Sequence, residues 1–217
     1  MKKFKLTSEF IVDISGVKLF RIKALIEFGN VKAGDLGGYI EKEENLSHMG
    51  DAWVSDDARI SGNAQVFGNA QVFGDAQVFG DAQVFGDAWV FGNARVFGDA
   101  WVFGNARVSG NARVFGNAWV SGNARVSGNA RVSGDAQVFG DARVSGDKDY
   151  AYAHGFGSCN RTTTFFRLKD GDVGARCGCF YGTLAQFRDK VCETHGETKK
   201  AQEYLMLADL MEIRFKN

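Results

Sequence analysis

The chain has 217 residues, no proline, 28 glycines and 19 phenylalanines, and its 26 basic groups equal its 26 acidic ones. The balance holds in each stretch, with 8 basic and 8 acidic groups over residues 1–51, 7 and 8 over 52–146, and 11 and 10 over 147–217. Non-specific nucleic-acid binding needs a basic surplus and nucleic-acid mimicry an acidic one, so neither is expected of the whole molecule. No apolar run approaches the roughly 18 residues of a membrane span, and the start, MKKFKLTSEF, lacks the apolar core of a signal peptide, so the expected location is cytoplasmic and off the membrane.

Residues 1–50 read as an antiparallel pair followed by a cap. Phe10, Val12 and Ile14 alternate with Ile11 and Asp13, Ser15-Gly16 makes a turn, and Val17 to Leu25 resumes an extended apolar pattern. The Gly-rich stretch from Val31 to Ile40 has neither the GxGxxG nor the GK[ST] pattern, so its glycines are read as turn formers rather than a phosphate cradle.

Residues 51–147 repeat a six-residue unit of the kind VFGNAQ, VFGDAW or VSGNAR. Valine or isoleucine stands at every sixth position from Val54 to Val144, sixteen times, with alanine two residues before each. A six-residue period is the signature of a parallel β-helix, in which three short strands and three corners close an 18-residue triangular coil. The expected fold class is mainly β, a solenoid of about five to six such coils. In each unit the aliphatic residue points inward, its neighbours point outward, and Gly-Asn or Gly-Asp turns the corner.

Residues 148–217 break the period and read as a small ββαα module. Thr162 to Leu168 and Val173 to Phe180 form a hairpin about Lys169-Asp170-Gly171-Asp172, Thr183 caps a helix from Leu184 to Thr194, and Thr198 caps another from Lys199 to about Ile213.

The repeat units resemble the hexapeptide-repeat family, whose coils wind as a left-handed parallel β-helix. The opening, RIKALIEFGNVKAGDLGGYIEKEENLSHMGDAWVSDDARI, is similar to bacterial and bacteriophage proteins of that type, and RTTTFFRLKDGDVGARCGCFYGTLAQFRDKVCETHG is similar to a module attached to phage and prophage proteins. The resemblance implies a phage or prophage setting and a homo-oligomer, a trimer first. The best-known members of the class are acyltransferases, usually trimers, which place a catalytic histidine near a subunit interface and often project a loop from the coils. Here His48, His154 and His195 all lie outside the repeat, and no insertion interrupts it. The expected role is therefore a non-enzymatic binding scaffold with no cofactor, acting on a host macromolecule or sequestering a small ligand, for instance as an inhibitor of host defence. The competing readings are an acyltransferase-like enzyme with a site between subunits and a structural component of a phage particle.

Counting in eighteens sorts the outward residues onto three faces. One carries Gln65, Gln83, Trp101, Trp119 and Gln137 beside Phe67, Phe85, Phe103, Ser121 and Phe139, with no charge in either column. A stacked aromatic patch of this kind is expected to pack against copies of the chain or a partner, so these Gln, Trp and Phe residues are the candidate interface. The other two faces carry columns of arginine, Arg107, Arg125 and Arg143 on one and Arg95, Arg113 and Arg131 on the other. These are candidate anion contacts, with Asp99, Asp135 and Asp141 at the corners expected to offset their field.

Cys177-Gly178-Cys179, on a strand that would turn both thiols to one side, is a candidate zinc half-site with Cys192 and His195. The absence of a second close pair makes buried thiols the preferred reading, and no metal is expected. Cys179 with His195 is a weaker nucleophile pair, because nothing orients the base.

Overall fold

The computed structural model describes residues 1–158 and 160–216. It contains the expected solenoid of about six turns, built from sixteen two-residue strands running from Trp53–Val54 to Arg143–Val144. Each strand is one outward residue followed by one inward Val or Ile, and the parallel register pairs residue i with i+18, as in Trp101 with Trp119 and Val102 with Val120. Every inward aliphatic residue and every Ala from Ala52 to Ala142 is at most 1% exposed. Alanine fits the narrow inside of the corner and valine the wider middle of the side, so the repeated pair forms one continuous buried core.

Glycine at the corners is required rather than permitted. Gly122 has φ 69°, and a Cβ there would lie 2.8 Å from the Gly140 nitrogen of the next coil. Several of the Asn side chains that follow donate along the axis to the corner of the next coil, as in Asn69 Nδ2 to Asp87 Oδ1 at 3.0 Å and Asn117 Nδ2 to Asp135 Oδ1 at 2.9 Å.

Three strands precede the coils: β1 (Phe4–Val12), β2 (Lys18–Ala24) and β3 (Leu36–Ile40). β1 and β2 are antiparallel, and β3 turns to run parallel to Arg59–Ile60, which joins the cap to one face of the solenoid. β1 starts six residues earlier than the alternation suggests and ends at Val12, because the Asp13 carboxylate accepts the N–H groups of Ser15 and Val17 and forces the turn. Gly37 and Gly38 are strand residues rather than turn formers. A Cβ at Gly37 would meet Ile22 and Trp53, at 2.5 and 2.6 Å, so glycine here serves close packing.

The first coil offers unpaired carbonyls, and the N-terminal segment meets them with donors. Lys3 Nζ donates to the oxygens of Gly50 and Ala52, and Asn45 Nδ2 to those of Gly62 and Ala64. The Tyr39, Glu41 and Ser47 amides reach Ala58, Ile60 and Val66. Both Lys3 and Asn45 are buried. Burial holds the Lys3 amine down to about 8, with Asp51 opposing the shift. Because the folded value lies below the ordinary 10.5, the unfolded chain holds this proton more tightly between the two. Stability is therefore expected to rise as pH increases from about 8 to 10.5 and to lose that increment as pH falls through 8. Lys3→Met should remove this slope in denaturant melts across the window and cost about 1–3 kcal/mol at neutral pH by orphaning two carbonyls.

The last coil presents N–H groups, and the C-terminal module meets them with acceptors. The amide of Arg131 donates to Asp147 Oδ1, Gln137 to Thr164 Oγ1, Asp141 to the Tyr181 hydroxyl, and Ser145 to Asp149 Oδ2. The module has four strands rather than two: β20 (Tyr150–Phe156), β21 (Arg161–Arg167), β22 (Val173–Cys177) and β23 (Phe180–Thr183), counting the solenoid strands as β4 to β19. The returning strand read from Val173 to Phe180 is broken at Gly178, φ 57°. Thr183 and Thr198 cap α1 (Leu184–His195) and α2 (Lys199–Phe215) as expected. This sheet lies between two cores. Phe166, Tyr150 and Leu168 complete the end of the solenoid core, while Phe165 and Ala175 pack with Phe187, Tyr204 and Met211 of the helices.

Candidate functional site

The solenoid has three outer faces, each one parallel sheet. The strands of Gln65, Gln83, Trp101, Trp119 and Gln137 form the first, those of Trp53, Gln71, Trp89, Arg107, Arg125 and Arg143 the second, and those of Arg59, Gln77, Arg95, Arg113 and Arg131 the third, continuous with β3. The columns counted from the sequence are thus the columns of the fold.

On the first face the aromatic rings stack along the solenoid axis. Phe67, Phe85 and Phe103 are spaced 4.8 and 4.9 Å apart with planes within 3° of parallel, and Trp101 stacks on Trp119 at 5.2 Å. Trp119 also meets Phe103 edge to face. Rings stacked this way point their edges outward, so the face is a ridged apolar surface rather than a set of open ring planes, and a flat ring such as a sugar has no platform on it. Trp119 is 39% exposed, while the Phe rings are half-buried against their neighbours.

Two residues counted on this face are used inside the chain. Gln137 accepts from Arg176 Nε through its side chain, and Phe139 sits between the Arg176 guanidinium at 4.9 Å and the Tyr181 ring at 5.3 Å. Ser121 is 2% exposed and Trp53, on the second face, 4%, so neither is an open outward position. Phe28 covers Trp53 edge-on. The open part of the first face therefore runs from Gln65 to Trp119, with Glu43 and Glu44 at its upper end beside a shallow depression of about 600 Å³ lined also by Leu46, His48 and Phe67.

The arginine columns lie as counted. Arg107 stacks over the Trp89 ring at 4.7 Å, Arg125 and Arg143 follow it down the second face, and Arg95, Arg113 and Arg131 descend the third. Asp99 and Asp135 stand on the corner between the third and first faces, so they border the column of Arg95, Arg113 and Arg131 and not that of Arg107. Asp141 does border that column, but the Lys169 ammonium at 2.9 Å engages it and holds its carboxyl below the usual range.

The candidate zinc residues are dispersed. Cys177 ends β22 half-buried, its sulfur accepting from Thr163 Oγ1 at 3.2 Å, whereas the turn at Gly178 leaves Cys179 exposed. The two thiols are thus not displayed on one continuous strand. Cys192 is exposed on α1, and His195 stacks on Tyr204. Cys177 and His195 do line one small cleft of about 100 Å³ with Arg161, Lys190 and Tyr204, but Cys179 and Cys192 are not among its walls. Among the described residues no three His, Cys, Asp or Glu are grouped to hold a metal, and Cys159 lies outside those residues. The sequence did not single out this cleft, because Tyr204 and Lys190 come from different helices.

Three stretches of the solenoid, residues 58–74, 106–122 and 124–138, match the sequence model of the family described as YdcK Beta solenoid repeat. No curated protein matches the chain. Among the described residues no helix is long and apolar enough to cross a membrane.

Proposed function

We propose that this repeat β-helix chain is a non-enzymatic scaffold, its coils winding left-handed as the hexapeptide resemblance implies, that associates with copies of itself through the first face. The observation that carries this reading is the ridged, uncharged column of Trp101, Trp119, Phe67, Phe85 and Phe103 on a rigid sheet. Such a surface gains by leaving water, because Trp and Phe contribute most of the apolar area and order few rotamers on association. A trimer, the arrangement the resemblance implies, buries the three first faces together. The setting that fits is a phage or prophage protein in the host cytoplasm, acting by binding a host macromolecule or sequestering a small ligand.

The solenoid's contents support a non-enzymatic role. Its inward residues are Ala, Val and Ile throughout, its outward columns hold Gln, Arg, Ser, Phe and Trp, its carboxylates stand at the corners, and it contains no histidine. Calorimetry with acetyl-, succinyl- and longer acyl-coenzyme A should show no saturable heat and no turnover. Saturable binding of any of these donors, with transfer to an amine or hydroxyl acceptor, overturns the scaffold reading in favour of an acyltransferase built between subunits. Sedimentation equilibrium should give three times the 23.7 kDa chain mass.

A further inference from the structure

The second face changes character half-way down. In its upper coils the position after the inward valine holds Phe73 and Phe91, and in the lower ones it holds Ser109, Ser127 and Ser145. At the same level the position before the valine becomes Arg107, Arg125 and Arg143. Replacing a ring by a hydroxymethyl group three coils running hollows the face, and the result is a groove of about 410 Å³ floored by the serines and walled by the arginines, with Phe91 at its upper end.

The groove is basic, and compensation is confined to its lower end, where Asp141 acts on Arg143. Among the described residues no carboxylate comes within ion-pair distance of Arg107, Arg125 or Arg143. The corners beside it carry Asn105 and Asn123 on one side and Asn111 and Asn129 on the other, where the upper coils carry Asp51 and Asp87, and Asp57 and Asp75. The fold accepts either residue at a corner, since the axial bond forms from Asn111 to Asn129 as it does from Asn69 to Asp87. Asparagine at this level therefore leaves the arginine field intact. Three acids stand at the lower margin: Asp141 pairs with Lys169 and also acts on Arg143, Asp147 accepts the Arg131 amide, and Asp149 pairs with Arg167. Arg143 is anchored by NH1 to the carbonyls of Asn123, Asp141 and Ala142, and Ser145 donates to Asp149.

Stacked guanidiniums one coil apart, 4.9 Å by the Phe73 and Phe91 rings, repel one another unless an anion bridges them. We propose that this groove binds a chain of phosphate groups laid along the solenoid axis, Arg107 and Arg125 forking onto successive phosphates and Ser109 and Ser127 donating from the floor. Phosphate suits the donors better than carboxylate, because its additional oxygens accept from the guanidinium fork and the hydroxyl together. A single-stranded nucleic acid fits less well. Its bases need open ring faces, and the neighbouring Phe73 and Phe91 rings are already closed on each other.

The test is calorimetry on the full chain with orthophosphate, tripolyphosphate, a nucleoside triphosphate and a single-stranded oligonucleotide. Tripolyphosphate should bind about tenfold or more tighter than orthophosphate, Arg125→Gln should weaken it by about tenfold, and Arg59→Gln on the third face should leave it unchanged. Equal affinity for the nucleoside triphosphate supports recognition of the phosphate chain alone, and higher affinity supports a nucleotide as its source. No binding of either oligophosphate, equal binding by Arg125→Gln, or binding of the oligonucleotide only overturns the proposal. None of these readouts depends on the first face, so the chain can fail this test and still self-associate.

Discussion

Val108→Asp should unfold the solenoid, or cost it more than about 4 kcal/mol, while Ser109→Asp, one residue further on, should change its stability by less than about 1 kcal/mol. Val108 is fully buried at the centre of a coil, between Val90 above and Val126 below. A carboxylate there has only valine and alanine side chains around it and no donor to satisfy it, so it must either take up a proton at a cost or open the coil. Ser109 faces the groove between Arg107 and Arg125, where a carboxylate is solvated and attracted. Guanidinium melts of the two variants, followed by circular dichroism, check the contrast. Equal effects would mean that the inward and outward assignment of the repeat is wrong.

The second large effect concerns two adjacent rings of β21. Phe165 and Phe166 are both fully buried, but successive strand residues face opposite sides, so Phe166 closes the solenoid core and Phe165 anchors the helices. Either change to Ala should cost about 3–5 kcal/mol, with different consequences. Phe166→Ala opens the end of the solenoid and should speed hydrogen exchange in the coil of Val126 to Val144. Phe165→Ala loosens α1 and α2, whose contact with the sheet includes the edge-on meeting of Phe165 and Phe187 at 5.7 Å, and should leave that coil protected. Identical exchange patterns in both variants would contradict the two-core arrangement.

What could be read from the sequence follows from how local each signal is. The hexad repeats one physical solution sixteen times, so the inward column, the corner glycines and the three faces could be counted without any tertiary information. The ends could not, because capping depends on contacts between distant residues. Lys3 looks like an ordinary charged terminal residue until its ammonium is placed on the Gly50 and Ala52 carbonyls, 47 and 49 residues away. Tyr150 to Phe156 is not legible as a strand because it alternates Tyr with Ala beside Gly155, a weak pattern that becomes a strand through pairing with β21, with a register shift between Ala153 and Phe156. The same limit applies to the outer surface. Gln137 and Phe139 have the same types as residues of the open face and are nonetheless covered by Arg176 and Tyr181.

The measurement that bears most directly on the scaffold account is the molar mass of the wild-type chain by light scattering, beside that of Trp101→Glu/Trp119→Glu. The account predicts a multiple of 23.7 kDa for the wild type and a single chain for the variant, with unchanged circular dichroism because both side chains lie outside the core. A wild type that is monomeric at micromolar concentration, or a variant that keeps the wild-type mass, would contradict it.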